Sequence, residues 1–397
     1  MNASATEPPE PRSDAVRAVG HRRRGAGRLR WLALVLLVVI AIAWRPASAH
    51  VRAASLLVRF SDPTADGWLA GAGRHPFQER DVALPGTRGR LYVPADVADP
   101  PGIVVVHGVH WKGIDEPRLE RFARTIAASG VEVLTPEVRE LCDYRIDPAS
   151  IDTIGESARF LAAQTGGRTV GVMGLSFAGG LSILAATDPR YEPSIGFVVS
   201  VGGHDDLGRV LRFFVTNEAP RPDGTTLHLH AHPYGPAVLE YGHVEDFFGP
   251  DDADAARDAL RSLLHEDFDA ARERAKALSP AGAETMDHIL SHDAAALAPQ
   301  LLAEIDRLAP QFPAVSPSSR IAQLRVPLFV LHGAGDTVIP SSEAEWLGHD
   351  APRGLVREDL VSKAIEHVEL EGDTSLTDRL ALVHFMGDVL EAAEENR

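Results

Sequence analysis

The segment TVGVMGLSFAGGLSILAA, residues 169–186, has the pattern that decides the fold of this chain. Its first five residues form a short apolar run typical of a buried strand, and residues 177–186 have the composition of a helix. Ser176 lies between these two elements, flanked by Gly174 and Ala178. Small residues at these positions let a strand enter a helix through a sharp turn. We therefore predict a strand, a tight turn that presents Ser176, and a helix.

Outward from this segment, short apolar runs alternate with helical stretches. Such alternation is typical of an α/β fold, in which a mostly parallel sheet is covered by helices on both faces. The predicted strands of this part are 103–106, 131–134, 169–173, 196–201, 327–331 and 360–365. The predicted helices are 116–128, 150–164, 177–186 and a closing amphipathic helix at 379–393. Antiparallel opening strands are predicted at 56–60, 82–84 and 89–93.

Residues 206–321, here called the helical insertion, interrupt this alternation. Its predicted helices are 208–214, 237–247, 253–264, 268–278 and 295–308. Open α/β sheets bind ligands at the carboxyl ends of their strands, and a helical block at that edge is suited to be a cap or lid. The predicted organisation is an N-terminal segment 1–49, a first core part 50–205, the helical insertion 206–321, and a second core part 322–397.

Polar residues at the ends of three predicted strands offer the groups that a serine nucleophile needs. A serine hydroxyl is a weak nucleophile near neutral pH, so it requires a base, an acid that orients the base, and donors for the developing oxyanion. His107-Gly108 end one strand, Asp336 lies in a glycine-rich turn after another, and His367 follows the last. The chain therefore contains candidates for every part of such a site.

These motifs resemble those of the α/β-hydrolase family of serine hydrolases, over roughly residues 85–205 and 322–390. The strand, turn and helix around the serine, the His-Gly pair and the order serine, acid, histidine carry the resemblance. It implies that Ser176 is the nucleophile, Asp336 the orienting acid and His367 the base.

The same resemblance implies an oxyanion hole formed by the backbone N–H groups of Phe177 and Val109. The implied reaction is hydrolysis of a carboxylic ester through an acyl-serine intermediate, on a small-molecule acyl substrate and with no metal or organic cofactor. Peptidases and thioesterases use the same framework, so a serine peptidase or a thioesterase remains an alternative. A catalytically silent binding protein that keeps the fold is a third possibility.

Other residues compete for the same roles. His384 is an alternative base, but it falls in the predicted closing helix. His107 is expected to be a structural hydrogen-bonding residue. Asp205-Asp206 follow a strand and offer either an alternative acid or a helix N-cap.

Two features of the sequence bear on metal binding. His228, His230 and His232 lie on one side of an extended segment, so they form either a zinc site or a polar strip. Cys142 is the only cysteine, which excludes an intrachain disulfide and any site with several cysteine ligands. We expect it to be a small buried apolar residue.

The charge distribution excludes one class of partner. The net charge is −17, but residues 1–49 carry eight arginines against three acidic residues, a local charge of +5 that leaves −22 for the remainder. A body this acidic repels phosphate backbones, so a nucleic-acid partner is not expected.

The N-terminus has the order of an export signal. Basic residues at 21–30 precede an apolar run at 31–44, and Ala47-Ser48-Ala49 resembles a signal-peptidase site. The run spans only about 21 Å as a helix, which is less than the roughly 30 Å of a bilayer core. A cleaved signal, a retained membrane anchor and a buried helix remain open. Either of the first two predicts an extracytoplasmic body.

Overall fold

The computed structural model describes Trp31, Val35 and residues 44–366, 369–370 and 375–396. The chain divides into two compact units, residues 1–48 and 49–397. The second unit contains the sheet and the candidate site.

The strands and helices have the following bounds. The strands are β1 (Phe77–Leu84), β2 (Thr87–Pro94), β3 (Gly102–Val106), β4 (Glu132–Pro136), β5 (Val170–Leu175), β6 (Ile195–Val201), β7 (Glu218–Pro220), β8 (Thr226–His228), β9 (Leu328–Gly333), β10 (Val356–Ser362), β11 (Ile365–Glu366) and β12 (Glu369–Leu370). The helices are α1 (44–61), α2 (Trp68–Gly71), α3 (Pro117–Ala127), α4 (Arg139–Cys142), α5 (Pro148–Gln164), α6 (Phe177–Thr187), α7 (Leu207–Thr216), α8 (Tyr234–Gly242), α9 (Val244–Phe247), α10 (Ala253–Leu264), α11 (Phe268–Ala275), α12 (Pro280–Leu290), α13 (Ala294–Leu308), α14 (Ser342–Asp350) and α15 (Leu376–Glu395).

An eight-stranded sheet forms the centre of the second unit, in the order β1-β2-β4-β3-β5-β6-β9-β10. β1 pairs antiparallel with β2, and β2 pairs antiparallel with β4. All later neighbours in that order pair in parallel. The predicted α/β class and the mostly parallel sheet are confirmed.

Helices cover both faces of this sheet. Val104 and Val106 of β3 pack into a core with α5, α6 and α14, whereas Ile103 and Val105 pack into a second core with α1, α3 and α15. Side chains alternate between the faces of a strand, so a strand that is apolar at every position supplies both cores at once. The prediction of helices on both faces is confirmed.

The predicted opening strand at 56–60 is wrong, because these residues belong to helix α1. Ala49, Ala53 and Leu56 are fully buried in the same core as α15. Their spacing of four and then three residues is that of one helix face. The alternation within 56–60 is too short to distinguish a strand from a helix, and the longer helical spacing decides the outcome.

The predicted signal-peptidase site at 47–49 lies within α1. Of the apolar run 31–44, the structure describes Trp31, Val35 and Trp44. Within the described part of the chain, no helix combines the length and the apolar character that crossing a membrane requires.

The helical insertion contains α7 to α13, which lie between β6 and β9 in the chain. Residues from α8, α9, α10, α12 and α13 form a third apolar core. The structure adds the hairpin of β7 and β8, the helix α12, and a break at His243 that divides the predicted helix 237–247 into α8 and α9. Whether this insertion acts as a cap stays a prediction.

The last strand of the sheet differs from the predicted strand 360–365. β10 ends at Ser362, and a turn at Lys363 and Ala364 separates it from β11. The Ala364 N–H donates to Ser362 Oγ over 3.0 Å, so a side chain replaces the next ladder partner and ends the strand.

Candidate active site

Ser176 lies on the turn between β5 and α6, as the sequence predicts. Its backbone has φ 55° and ψ −136°, a conformation that non-glycine residues rarely adopt. Two hydrogen bonds hold it there: the Ser176 N–H donates to the Val201 carbonyl, and the Gly179 N–H donates to the Ser176 carbonyl, each over 2.8 Å. Such strain costs on the order of 1–3 kcal/mol and is concentrated at functional sites.

Two glycines allow the backbone to pack closely around this turn. A Cβ on Gly174 would lie 2.1 Å from the Ala178 carbonyl oxygen, so any side chain there would push the turn apart. A Cβ on Gly108 would lie 3.0 Å from Ser176 Cβ and 3.7 Å from its Oγ. The backbone of the 107–113 loop therefore passes directly against the serine.

The two predicted oxyanion donors lie on these two segments. Phe177 is the first residue of α6, where a backbone N–H has no acceptor within the helix. Val109 follows Gly108, and its side chain packs against both the sheet core and the core of the helical insertion. Among the described residues, neither N–H donates to a backbone or side-chain acceptor. The role of these two N–H groups as oxyanion donors stays a prediction.

His107 holds this loop in place through hydrogen bonds and is not positioned as a general base. The Val138 N–H donates to its Nε2 over 3.0 Å, so Nδ1 carries the hydrogen and donates to the Gly108 carbonyl over 2.7 Å. Burial lowers the pKa of His107 to about 4. The imidazole is therefore neutral near pH 7, with both nitrogens engaged by backbone groups.

Asp336 is fully buried in the turn after β9. Its Oδ1 accepts the N–H groups of Val338 and Ile339 over 2.8 and 3.0 Å, and its Oδ2 lies 3.6 Å from His332 Nε2. Burial alone would lower the pKa of His332, but the neighbouring Asp336 carboxylate raises it above its usual value. The carboxylate is thus held in place by its own turn, and its role as the orienting acid stays a prediction.

The predicted base, His367, lies outside the described residues. Ile365, two positions earlier, lines the same cavity as Ser176. The competing histidine, His384, is on α15, where its Nδ1 lies 2.8 Å from His50 Nε2 and 3.5 Å from Asp388 Oδ1. His384 is therefore engaged in a different cluster.

The alternative acid, Asp205, belongs to a buried ion cluster. Arg209 Nη2 donates to Asp205 Oδ2 over 2.7 Å, and Arg209 Nε donates to Glu343 Oε1 over 2.8 Å. Burial raises the pKa of Asp205 to about 7. Asp206 caps α7 by accepting the Arg209 N–H over 2.8 Å. These residues have structural partners at the start of α7, and sequence reasoning missed Arg209 and Glu343.

The three histidines at 228–232, for which the sequence leaves open a zinc site or a polar strip, are not brought together as a ligand cluster. Within the described part of the chain, the clusters of three or more His, Cys, Asp or Glu with close ligand atoms are His50-His384-Asp388 and His243-Asp246-Glu304. The strip 228–232 supplies neither of them. Cys142 is half-buried, with its Sγ 3.8 Å from His107 Nε2, and burial raises the pKa of its thiol to about 12. It is therefore a packing residue.

A cavity of about 170 Å³ adjoins Ser176, here called the Ser176 cavity. Its lining is mostly apolar, and besides Ser176 its polar members are His107, His110, Glu116 and Arg118. Three helices provide its walls through Leu57 and Phe60 of α1, Leu119 and Phe122 of α3, and Leu382 and Met386 of α15. Among the described residues that line it, none belongs to the helical insertion. The sequence prediction did not include these helices as walls of the site.

The helical insertion reaches the site indirectly, through the 107–113 loop. The ring of Trp111 stacks on His265, which follows α10, with centroids 4.8 Å apart. The Tyr144 hydroxyl donates to the Leu264 carbonyl over 2.6 Å. The insertion therefore supports the loop that carries Gly108 and Val109.

Comparisons with known proteins agree with this architecture. A crystal structure of a hydrolase from Legionella pneumophila is similar, with a TM-score of 0.51 and 14% identity, and the match covers 81% of this chain and 90% of that one. The esterase domain of a Rhodothermus marinus protein (TM-score 0.41, 14% identity, covering 79% and 97%) and an esterase from Pyrobaculum calidifontis (0.41, 16%, 78% and 80%) are also similar. No protein-family model matches the sequence, and no curated protein matches it. With its strand order and its serine turn, the chain has the α/β-hydrolase fold.

Proposed function

We propose that this protein is a serine hydrolase that cleaves a carboxylic ester with an apolar acyl group. The observation that carries the proposal is the position of Ser176, which lies on a strained turn, against the backbone of Gly108 and beside an apolar cavity. A structural serine needs neither the strain nor the cavity.

The reaction proceeds in two steps through Ser176. In the first step, His367 accepts the hydroxyl proton while Oγ attacks the ester carbonyl carbon, and the same proton then passes to the departing alcohol. In the second step, water takes the place of the alcohol and attacks the acyl carbonyl carbon while His367 accepts its proton. The acyl–Oγ bond then breaks, the acid departs, and the proton passes from His367 to Ser176 Oγ. Asp336 orients His367, and the N–H groups of Phe177 and Val109 bind the oxyanion.

The acyl group follows from the lining of the Ser176 cavity. Burying a methylene group contributes about 0.8 kcal/mol, so apolar walls favour an aliphatic or aromatic acyl chain. Leu57, Phe122 and Met386 come from three different helices and give the cavity apolar surfaces on several sides. The pocket thus favours hydrophobic esters over short polar ones.

We propose that the protein acts outside the cytoplasm, because basic residues at 21–30 precede an apolar run at 31–44, as in export signals and membrane anchors. N-terminal sequencing of exported protein tests this proposal. A start at His50 indicates cleavage, an intact arginine-rich N-terminus on an exported body indicates an anchor, and exclusive recovery from the cytoplasm contradicts it.

A panel of substrates tests the activity. The full chain is assayed with p-nitrophenyl esters of increasing acyl length, acyl-thioesters and aminoacyl anilides, alongside Ser176→Ala and the control Ser182→Ala. Ser182 lies in α6, the helix that follows Ser176, and its hydroxyl donates to the Ala178 carbonyl. We expect ester turnover that Ser176→Ala lowers by at least about 10⁴-fold and Ser182→Ala largely retains. Anilide turnover without ester turnover indicates a peptidase, and a folded protein with no turnover of any substrate indicates the silent binding protein.

A further inference from the structure

A cluster of two histidines and one aspartate joins α1 to α15. His50 Nε2 lies 2.8 Å from His384 Nδ1 and 3.4 Å from Asp388 Oδ1. The third distance, from His384 Nδ1 to Asp388 Oδ1, is 3.5 Å. His384 and Asp388 are four residues apart, so they lie on the same face of α15. Three metal-ligating atoms therefore converge at one point between two helices.

Two of these distances, 3.4 and 3.5 Å, match the ligand spacing of zinc, and the third, 2.8 Å between the two histidine nitrogens, is a hydrogen bond that a zinc ion would replace. Zinc bonds of 2.0–2.2 Å to imidazole and carboxylate separate neighbouring tetrahedral ligands by about 3.3 Å. We propose that His50, His384 and Asp388 form a zinc site. The three side chains are 30%, 60% and 27% exposed, so solvent can reach the cluster and a water molecule can complete the fourth position.

Two neighbouring residues give the cluster the features of a built site. A Cβ on Gly387 would lie 2.7 Å from the His50 ring, so glycine at this position of α15 leaves room for the imidazole. The second nitrogen of His384, Nε2, lies 3.4 Å from Glu358 Oε1. A zinc-bound histidine commonly presents its other nitrogen to a carboxylate, which fixes the ring and makes it a stronger ligand.

In the second cluster of potential metal ligands, an arginine side chain already binds the carboxylates. His243, Asp246 and Glu304 lie within the helical insertion, but Arg307 donates to Asp246 Oδ2 over 2.9 Å and to Glu304 Oε2 over 2.8 Å. The guanidinium already supplies the positive charge that a cation would bring. Zinc is therefore expected at His50-His384-Asp388 and not at this second cluster.

The proposed site has a consequence for the Ser176 cavity. α1 and α15 carry the zinc ligands and also line the cavity, through Leu57 and Phe60 on one helix and Leu382 and Met386 on the other. A bound zinc ion would tie these two walls together. The inference is independent of the chemistry at Ser176, since zinc binding can be measured without substrate.

Isothermal titration of untagged, EDTA-treated full chain with Zn²⁺ tests the site. We expect one ion per chain with a micromolar or lower Kd, and a rise of at least about 3 °C in the melting temperature. His384→Gln and Asp388→Asn should each weaken binding by at least tenfold, and Glu358→Gln by about tenfold.

His349→Gln is the matched control. His349 has the same 60% side-chain exposure as His384 and also contacts an aspartate, with its Nδ1 2.7 Å from Asp350 Oδ1. This variant should bind zinc within about twofold of the unmodified chain. Circular dichroism confirms that the variants fold, and two ligand variants keep the test decisive if one of them does not. Failure of the unmodified chain to bind, or undiminished binding by both His384→Gln and Asp388→Asn, would overturn the proposal.

Discussion

The helical insertion and helix α1 differ sharply in how they approach Ser176. The insertion has the size and position that predict a cap, yet no described residue of it lines the Ser176 cavity. The sequence of helix α1 predicts the end of an export signal followed by a strand, yet this helix lines the cavity with Leu57 and Phe60. Proximity in the chain to the strand that carries Ser176 is therefore a poor guide to which segment builds the cavity.

The three wall helices and the helical insertion are expected to control the site in two different ways. α1, α3 and α15 provide apolar walls, so they are expected to select the acyl chain. The insertion contacts the 107–113 loop through Trp111 and His265, so it is expected to affect the oxyanion donors and the rate of the chemical step. Four predictions test this division.

The largest effect is expected from His367→Ala, because the proposed base serves every substrate whatever its chain length. We expect kcat/KM to fall by at least about 10⁴-fold across the whole ester series. The control is His349→Ala, which alters an exposed histidine on α14 and should change activity less than twofold. Activity of His367→Ala within tenfold of the unmodified chain would assign the base to another residue.

Leu57→Trp tests the role of α1 as a wall. The indole ring of tryptophan is larger than the leucine side chain and should exclude three or four methylene groups of the acyl chain from the Ser176 cavity. We expect kcat/KM to fall roughly 100-fold for octanoyl esters and to change less than threefold for acetyl esters. Leu263→Trp is the matched control, since Leu263 is a partly buried leucine on α10 of the insertion. If Leu263→Trp changes the chain-length profile and Leu57→Trp does not, the insertion builds the pocket.

The loop between the two regions should lose stability in acid through His107. Burial lowers the pKa of its imidazole to about 4, whereas an unfolded histidine titrates near 6.5. The contribution of His107 to the free energy of unfolding is therefore complete above pH 6.5. It declines as the pH falls toward 4, and about 2 kcal/mol of it is lost at pH 5. Urea unfolding at pH 7.5 and pH 5 measures this loss, and His107→Gln should show a loss smaller by that amount. Equal losses in the two proteins would show that His107 is not the responsible group.

The smallest effect is expected from His265→Ala, which removes the stacking partner of Trp111. We expect kcat to fall about threefold, by the same factor for short and long acyl esters, since the insertion acts through the loop and not through the cavity. His288→Ala, on α12 of the insertion, is the control and should leave kcat unchanged. A fall confined to long acyl chains would assign a substrate-binding role to this part of the insertion.

The sequence predicts the sheet well, because β3, β5, β6 and β9 are apolar at nearly every position and lie between clear turns. Ser176 is predictable for a local reason, since Gly174 and Ala178 are the residues that a sharp turn requires. Asp336 is predictable because it follows a strand in a turn that its own carboxylate stabilises. These features depend on neighbours in the chain.

The parts that sequence reasoning missed depend on contacts between distant residues. The buried face of α1 begins at Ala49 and continues through Ala53 and Leu56. The predicted boundary between the N-terminal segment and the first core part falls after residue 49, so it separates Ala49 from the rest of this helix face. His50 and His384 are 334 positions apart, and no local pattern indicates that their rings meet. Tertiary packing determines both features.

Labelling with a fluorophosphonate probe, followed by peptide mapping, is the most direct measurement of whether Ser176 is an activated nucleophile. We predict one adduct per chain, on Ser176, that is absent in Ser176→Ala and present in Ser182→Ala. An adduct on another serine, or a folded chain that remains unlabelled, would contradict it.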